Sequence, residues 1–140
     1  MCIRDRRDTI QFPYALTLGA LHNNDLVYQL GKEIGRQCRM VGVHVNFGPV
    51  IDINTNAHNP IIGIRSFGAD RHNVANKGIH FMRGLQAGGV LACAKHFPGH
   101  GDTATDSHLS LPVINHDMDR IHTEELYPCL LYTSPSPRDS

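Results

Sequence analysis

The stretch VLACAKHF, residues 90–97, decides the fold, and the pattern on either side of it completes the prediction. Residues 90–94 are apolar without alternation, which is typical of a strand buried on both faces of a parallel sheet. Residues 70–89 come before it, carry apolar side chains at helical spacing and end in two glycines, which indicates a helix that stops there. VHVNFGPVIDI, residues 43–53, precedes that helix and predicts another strand. The order strand, helix, strand predicts parallel pairing through a right-handed crossover.

Helices are also predicted on both sides of this unit. The first has Asn23 or Asn24 available as its N-cap and Gly42 just beyond its end. Its expected inner stripe consists of residues at four-residue steps: Leu26, Leu30, Ile34 and Cys38. Another helix is predicted to start near Asp117. An α/β chain with this alternation leaves two architectures open, a doubly wound sheet or a (β/α)8 barrel.

The composition limits the classes of partner. The 140 residues are 41% hydrophobic, with 13 basic and 13 acidic side chains and a formal net charge of zero. These values are typical of one globular domain. Balanced charge gives no electrostatic basis for binding nucleic acid or an anionic membrane surface. No window reaches the roughly 18 to 20 unbroken apolar residues of a membrane span. We therefore expect no nucleic-acid partner and no membrane segment.

The two ends of the chain differ in character from the middle. MCIRDR, residues 1–6, and CLLYTSPSPRDS, residues 129–140, are interpreted as translated sequencing-adapter sequence, the alternative for the second being a natural Ser/Pro-rich tail. Both are set aside from fold reasoning, which leaves 7–128 as the expected natural domain. Cys38 and Cys93 remain within it, and both are expected to be small buried hydrophobic residues.

Polar segments follow both predicted strands. These are residues 52–67 and residues 95–112, and the second opens with KHFPGHGDTATDSH, which contains three histidines. In both candidate architectures the loops after the C-terminal ends of the strands form the active site. The sequence therefore predicts that the two segments meet at a functional site.

The residue types of the second segment allow three interpretations. The first is a zinc site, whose ligands would come from His96, His100, His108, Asp102 and Asp106, although their spacing matches no closed structural site. The second is a structural loop, in which Gly99 and Gly101 supply special φ angles and the aspartates cap turns.

The structural interpretation suits Lys95 and His96 less well. At the end of a buried strand they would point into the mouth of the sheet or barrel, where an unpaired ammonium costs several kcal/mol. A hydroxyl-rich or anionic ligand, or a nearby carboxylate, would compensate for that cost. The third interpretation is acid–base catalysis, because Asp106 lies two residues from His108 and a carboxylate beside an imidazole fixes its tautomer for proton transfer.

In these motifs the sequence resembles the N-terminal barrel domain of family 3 glycoside hydrolases. It is most similar to the bacterial branch of β-N-acetylglucosaminidases, also called β-N-acetylhexosaminidases, that trim peptidoglycan fragments. The resemblance rests on FPYALTLGA (12–20), GVHVNFGPVIDI (42–53), RSFG (65–68), GLQAGGVLACAKHFPGHGDT (84–103), DSHLSLP (106–112) and EELYP (124–128). It implies an α/β fold, a (β/α)8 barrel of which residues 7–128 would supply about three βα units.

The resemblance also implies a retaining, exo-acting glycosidase that uses no metal and no cofactor. His108 would be the catalytic acid and base, with Asp106 orienting it, and Arg65, Lys95 and His96 would bind sugar hydroxyls. The substrate would be an oligosaccharide with terminal β-linked N-acetylglucosamine, such as a muropeptide.

The pattern departs from the family in two respects. The expected aspartate nucleophile lies beyond Pro128, and the acidic sugar-binding motif expected before Phe12 is likewise missing from this chain. We therefore expect the 140 residues alone to be inactive. The alternatives are a phosphorylase or β-glucosidase of the same family, or a sugar-binding relative that has lost catalysis. Asp52 is expected to bond loop backbone rather than substrate. Six further histidines are expected at surface or packing positions: His44, His58, His72, His80, His116 and His122.

Overall fold

The computed structural model of the chain describes residues 11–103 and 116–132. Its helices are α1 (Ala15–Gly19), α2 (Asn24–Met40), α3 (Arg71–Ala87), α4 (Met118–Arg120) and α5 (Tyr127–Tyr132). A 3-10 turn spans Gly63–Arg65, and a π-helical turn, Ile121–Glu125, joins α4 to α5. The two strands are β1 (Val45–Asn46) and β2 (Leu91–Ala92).

The two strands pair in parallel, as the order of elements predicts. Val45 lies opposite Leu91 and Asn46 opposite Ala92, and α3 makes the crossover between them. A further parallel bridge joins Val50 to Lys95 and extends the pairing to the C-terminal ends of the strands. The predicted order and direction of the strands are confirmed, although β1 and β2 are shorter than the apolar runs from which they were predicted.

Side chains cap the starts of the two long helices, and the cap of α2 is one of the two asparagines predicted for it. Asn23 caps α2 by accepting a hydrogen bond from the backbone N–H of Asp25, and Asp70 caps α3 by accepting from that of Asn73. Gly42 follows the end of α2 with φ at 78°, a left-handed conformation that favours glycine. The third predicted helix also begins where expected, with Asp117 as the N-cap of α4.

The face that α2 buries matches the predicted stripe except at its first residue. Cys38 is buried, and Leu30 and Ile34 pack partly buried against the core, whereas Leu26 is 53% exposed and the neighbouring Val27 is buried. Two buried glycines on the same face let the backbone of α2 approach that of α3.

Glycines on both helices make this approach possible. A Cβ atom added at Gly84 of α3 would overlap the carbonyl oxygen of Tyr28 and would lie 2.8 Å from the amide nitrogen of Lys32 and 3.0 Å from Cα of Gly31. One at Gly31 would overlap the carbonyl of Phe81 in the same way. These obstacles are helix backbone, so a side chain there can be accommodated only if the helices separate.

Gly84→Ala is therefore expected to destabilise the domain by about 1 to 3 kcal/mol, the usual cost of overpacking. The sign of this change in stability tests the close contact, because replacing glycine by alanine in an uncrowded helix stabilises it by about 0.5 to 1 kcal/mol. Thermal unfolding of the variant measures the effect, with Gln86→Ala at an exposed position of α3 as the control. A rise in the melting temperature would contradict the close contact.

Helices cover one face of the strand pair and leave the other open. Ala92 and Val90 pack in a cluster with Cys38 and Leu85 of the helices. Leu91, on the opposite face, is 65% exposed, and Cys93 is exposed beside it. Cys38 is buried as predicted, but the prediction that Cys93 is buried is wrong for the residues that the structure describes.

One buried residue of α3 is charged. Lys77 is 1% exposed, and its ammonium donates hydrogen bonds to the carbonyl oxygen of Leu21 and, at 2.6 Å, to Oδ1 of Asn24. Burial lowers the pKa of Lys77. The two acceptors tie α3 to the start of α2 and compensate for part of the cost of burying the ammonium.

Candidate functional site

The C-terminal ends of the two strands lie side by side. The backbone N–H of Ile51 donates to the carbonyl of Lys95 at 2.7 Å, and that of Lys95 donates to the carbonyl of Pro49 at 3.0 Å. Asp52 and His96 follow these residues directly, so the two predicted loops leave the sheet next to each other. The expected meeting of the two polar segments is confirmed.

Asp52 is the centre of the contact between these loops. It is 1% exposed, and its Oδ2 lies 2.6 Å from Nδ1 of His96. Its Oδ1 accepts a hydrogen bond of 2.7 Å from the backbone N–H of His100. The prediction that Asp52 bonds loop backbone is confirmed, and the same carboxylate also holds an imidazole that was predicted to bind sugar.

This geometry selects the tautomer of His96. A carboxylate oxygen can only accept, so the hydrogen of the contact lies on Nδ1 and Nε2 is left at the other end of the ring. The His96 side chain is 33% exposed, whereas that of Asp52 is 0% exposed. His96 is therefore held from the protein side and can present Nε2 to a molecule bound at the strand ends.

Asn59 joins the loop after β1 to the loop after β2, and Ser66 holds the loop after β1 together. Nδ2 of Asn59 donates to the carbonyl of His100 at 2.7 Å, and Oγ of Ser66 donates to the carbonyl of Asp52 at 2.6 Å. Asn59 and Ser66 are both buried. Sequence analysis missed Asn59, whose only signal is an asparagine directly before Pro60 in a polar segment.

His100 serves the loop itself, as the structural interpretation allows. It is 9% exposed, and Nδ1 lies 2.5 Å from Oγ1 of Thr103. The predicted special φ angle is found at Gly99, with φ at 147°, and not at Gly101. Gly101 is needed for a different reason, because a Cβ atom there would overlap the carbonyl of Ile53.

A second group of charges lies between this loop and the last helices. Nε2 of His116 hydrogen-bonds to Oδ2 of Asp102, and Thr55 donates to Oδ1 of the same carboxylate at 3.1 Å. The guanidinium of Arg120 lies 3.8 Å from Asp102 Oδ2 and 3.6 Å from Oε1 of the buried Glu125. His116 is half-buried, in keeping with the predicted surface or packing position, but its pairing with Asp102 was not predicted.

These contacts hold Asp102 in its ionised form. The hydrogen bond from His116 is the main cause of the lowered pKa of Asp102, and the hydrogen bond from Thr55 and the charges of His116 and Arg120 act in the same direction. The stabilisation that comes from this carboxylate is present above the ordinary pKa of an aspartate. It is lost as the pH falls through the lowered value.

Two of the other predicted site residues lie in the described part of the structure, and the predicted catalytic pair does not. Lys95 is half-buried at the end of β2, and its ammonium has no hydrogen bond or ion pair with residues 11–103 or 116–132. Arg65 is exposed at the end of the 3-10 turn, and its guanidinium donates to the carbonyl of Ile61 at 3.0 Å. The predicted catalytic pair, Asp106 and His108, lies outside the described residues.

The zinc interpretation finds little support in the geometry. The rings of His96 and His100 lie 6.0 Å apart at their centroids, and each has one ring nitrogen committed to a protein partner. Within the described part of the chain, the donor atoms that come within 4.8 Å of one another belong to Asp102, His116 and Glu125. Only Asp102 of that group was among the ligands considered from the sequence.

Comparison with known proteins identifies the family. Residues 3–131 match the glycosyl hydrolase family 3 N terminal domain, so the chain belongs to this family. It is 36% identical over 136 residues to β-hexosaminidase A of Pseudoalteromonas piscicida, with 95% of this chain and 23% of that protein covered. It is 43% identical over 94 residues to a β-N-acetylglucosaminidase/β-glucosidase of Cellulomonas fimi, with coverage of 67% and 17%.

A solved structure agrees with both the fold and the family. The family 3 β-N-acetylglucosaminidase of Paenibacillus sp. is similar with a TM-score of 0.81 and 43% identity, over 87% of this chain and 23% of that one. The (β/α)8 alternative is thus confirmed over the doubly wound sheet. The described residues supply two strands of the barrel, each followed by its helices, and helix α2 before them.

The chain spans 23% and 17% of the lengths of the two curated relatives, so it corresponds to a part of such proteins. The exposed face of β2, with Leu91 and Cys93, is the side that lines the interior of a parallel barrel. Lys95 continues that face by the two-residue period of a strand. Within the described residues, no helix combines the length and the apolar character needed to cross a membrane.

Proposed function

We propose that the whole protein to which this chain belongs is a retaining, exo-acting β-N-acetylhexosaminidase. Its substrate would carry a terminal β-linked N-acetylglucosamine, as peptidoglycan fragments and related oligosaccharides do. Membership of the glycosyl hydrolase family 3 and the names of the relatives support this proposal. The observation that carries it is the pair of loops at the strand ends, where Asp52 holds His96 next to Lys95.

Lys95 and His96 would bind the terminal sugar. Lys95 is half-buried and its ammonium has no partner in the described residues, which favours a ligand that brings oxygen atoms to it. The orientation of the His96 ring is already fixed, which lowers the entropic cost of ordering this side chain when a sugar hydroxyl binds. Arg65 would complete this subsite if its guanidinium turned from the carbonyl of Ile61 toward the sugar.

His108 would transfer the proton in both half-reactions, with Asp106 as its orienting carboxylate. In the first, a carboxylate from a part of the protein beyond this chain attacks C1, the C1–O bond breaks, and His108 gives its proton to the leaving oxygen. In the second, His108 takes a proton from water as that water attacks C1 and releases the enzyme carboxylate. The steps use no metal ion and no cofactor.

Product analysis tests the proposal directly. The whole protein should release N-acetylglucosamine from the non-reducing end of a β-linked disaccharide, and the β-anomer should be the first product seen by NMR. Release of the α-anomer first would exclude a retaining mechanism. Formation of a sugar 1-phosphate when phosphate is added would identify the phosphorylase alternative.

The relative from Cellulomonas fimi favours one further activity, because its name combines β-N-acetylglucosaminidase with β-glucosidase. The ratio of kcat/KM for aryl β-N-acetylglucosaminide and aryl β-glucoside separates the two substrates. We expect the N-acetylated substrate to be preferred. The domain limits 7–128 and the inactivity of the 140 residues alone remain part of the proposal, and assay of the chain beside the whole protein tests the second.

Lys95→Met is expected to lower kcat/KM by about 10- to 100-fold, the loss of a hydrogen bond between a charged group and a hydroxyl. Methionine keeps the length of the stem and removes the ammonium, so the melting temperature should stay level or rise. Lys32→Met, at an exposed position of α2, is the matched control and should leave both quantities unchanged. Unaltered kcat/KM in Lys95→Met would remove this residue from the subsite.

A further inference from the structure

Asn59 is buried between the two loops at the strand ends, and its side-chain amide bonds to both of them. Oδ1 accepts hydrogen bonds of 2.8 Å from the backbone N–H groups of Ile61 and Ile62. Nδ2 donates to the carbonyl of His100 at 2.7 Å, and Oγ1 of Thr103 is a second acceptor at 3.5 Å. Only one orientation of the amide places an acceptor at the two N–H groups and a donor at the carbonyl. One side chain thus holds two loops by the opposite ends of its amide.

The first of these loops carries Arg65. The residues that Asn59 holds, Ile61 and Ile62, lead directly into the 3-10 turn Gly63–Arg65. The backbone N–H of Arg65 donates to the carbonyl of Ile62 at 2.7 Å, and its guanidinium donates to that of Ile61. The backbone of Arg65 is therefore placed relative to Asn59 through hydrogen bonds to the same two residues.

The second loop carries His96, and it is held on both sides of His100. The N–H of His100 donates to Oδ1 of Asp52, and its carbonyl accepts from Asn59. Asp52 also holds the ring of His96 through Oδ2. A residue that is bound at one backbone group can pivot about that bond, whereas bonds at N–H and C=O together fix its orientation. Asp52 and Asn59 therefore set where the segment from His96 to His100 lies against the first loop.

We propose that Asn59 is a positioning residue for sugar binding, which holds Arg65 and His96 at a fixed spacing at the strand ends. This inference rests on the proposed function, in which both side chains contact the terminal sugar. They come from different loops, so their spacing is only as well defined as the connection between the loops. Two groups that are already held at the right spacing bind a sugar without the further cost of ordering them. Asn59 would therefore act on the affinity for the sugar, and its effect would depend on Arg65.

Asn59→Asp separates the two ends of the amide in the whole protein. An ionised aspartate keeps an acceptor for the two N–H groups but offers no donor to the carbonyl of His100. Competitive inhibition by free N-acetylglucosamine measures the affinity for the terminal sugar. We expect the inhibition constant to rise by about 10-fold, less than the roughly 100-fold that a misplacement of about 1 Å can cost in rate. The matched control, Asn76→Asp at an exposed position of α3, should leave the inhibition constant unchanged.

Asn59→Ala removes both ends of the amide without adding a charge. The inhibition constant should rise at least as much as in Asn59→Asp, and the melting temperature should fall further. If Asn59→Ala folds and binds N-acetylglucosamine as the wild type does, the loss in Asn59→Asp comes from its charge, and the inference is wrong. If the alanine variant does not fold, the comparison in an Arg65→Ala background decides.

Combination with Arg65→Ala tests whether Asn59 acts through Arg65. Without the guanidinium, the spacing between the loops matters less to the sugar, so Asn59→Asp should then raise the inhibition constant by only about 3-fold or less, as expected for two coupled residues. A residue that only supports the fold weakens both backgrounds alike. Equal factors with and without Arg65 would therefore overturn the inference.

The single substitutions in the sugar subsite keep the two hypotheses apart. If Arg65→Ala and His96→Ala leave the inhibition constant unchanged, the proposed subsite is wrong, and the inference about Asn59 fails with it. If both substitutions raise the inhibition constant and Asn59→Asp does not, only the inference about Asn59 is wrong.

Discussion

Replacement of His108 by alanine in the whole protein is expected to lower kcat/KM by about 100- to 10,000-fold for an N-acetylglucosaminide with a sugar leaving group, the usual contribution of general acid catalysis. A sugar alkoxide leaves poorly unless it is protonated as the C1–O bond breaks. A 4-nitrophenolate is stable without that proton, so kcat/KM for the aryl substrate should fall much less. Steady-state kinetics on the two substrates measure the difference, because kcat/KM reports the first half-reaction.

Asp106→Asn extends the test to the orienting carboxylate. It should show the same dependence on leaving group with a smaller loss, since the imidazole remains and only its orientation and charge are less well supported. His122→Ala, at an exposed position of the last helical segment, is the histidine control and should behave as wild type. A His108→Ala variant that loses equal activity on both substrates would exclude the acid–base role and would favour a part in binding.

Local signals were sufficient to predict the elements that position this site. The cap at Asn23 and the glycines that follow α2 and α3 are short-range features in which one residue satisfies backbone groups of its neighbours. The parallel direction of the strands followed from the length of the crossover helix. Such features depend on the chain within a few residues and can be recognised without knowing what packs against them.

Contacts between distant parts of the chain could not be predicted in this way. Gly31 and Gly84 carry no side chain for a periodicity count, yet they set the distance between the two long helices. Lys77 has a charged side chain on a helix and would be assigned to the surface, but the acceptors on Leu21 and Asn24 make burial possible. Each of these positions depends on a partner more than 50 residues away in sequence.

The candidate site shows the same difference between local features, which were predicted, and contacts between distant residues, which were not. The motif KHFPGHG placed Lys95 and His96 at a strand end, because their position after an apolar run is a local property. The partner of His96 is Asp52, 44 residues earlier, and the partner of Asp102 is His116 across the segment with the proposed catalytic pair. The pairing of Asp52 with His96 arises because the carboxyl ends of parallel strands meet, which the sequence predicts only as a general placement.

Asp52 has two functions, because its one buried carboxylate fixes both the backbone of the loop at His100 and the ring of His96. Oδ1 holds the loop through the N–H of His100, and Oδ2 sets the tautomer of His96. The two functions can be separated by substitution, since asparagine keeps an oxygen for the backbone N–H but offers a donor to the ring. Alanine removes both interactions.

Asp52→Ala is expected to destabilise the domain by about 1 to 3 kcal/mol, because it leaves the buried backbone N–H of His100 without its acceptor. Asp52→Asn should cost much less stability, because the bond to His100 survives, but the ring of His96 must then carry its hydrogen on Nε2. We expect kcat/KM of Asp52→Asn to fall by about 10- to 100-fold, as for the loss of a charge-assisted hydrogen bond. Thermal unfolding and kinetics on both variants measure the two effects.

Asp119→Asn, an exposed aspartate in the last helical segment, is the matched control and should change the free energy of unfolding by less than about 0.5 kcal/mol. If Asp52→Asn lost as much stability as Asp52→Ala, the backbone bond would not be the stabilising one. If it kept full activity, the tautomer of His96 would be irrelevant to sugar binding, and the contact at 2.6 Å would have to be regarded as structural alone. Loss of stability in the alanine variant together with loss of activity in the asparagine variant is the pattern that the geometry of Asp52 requires.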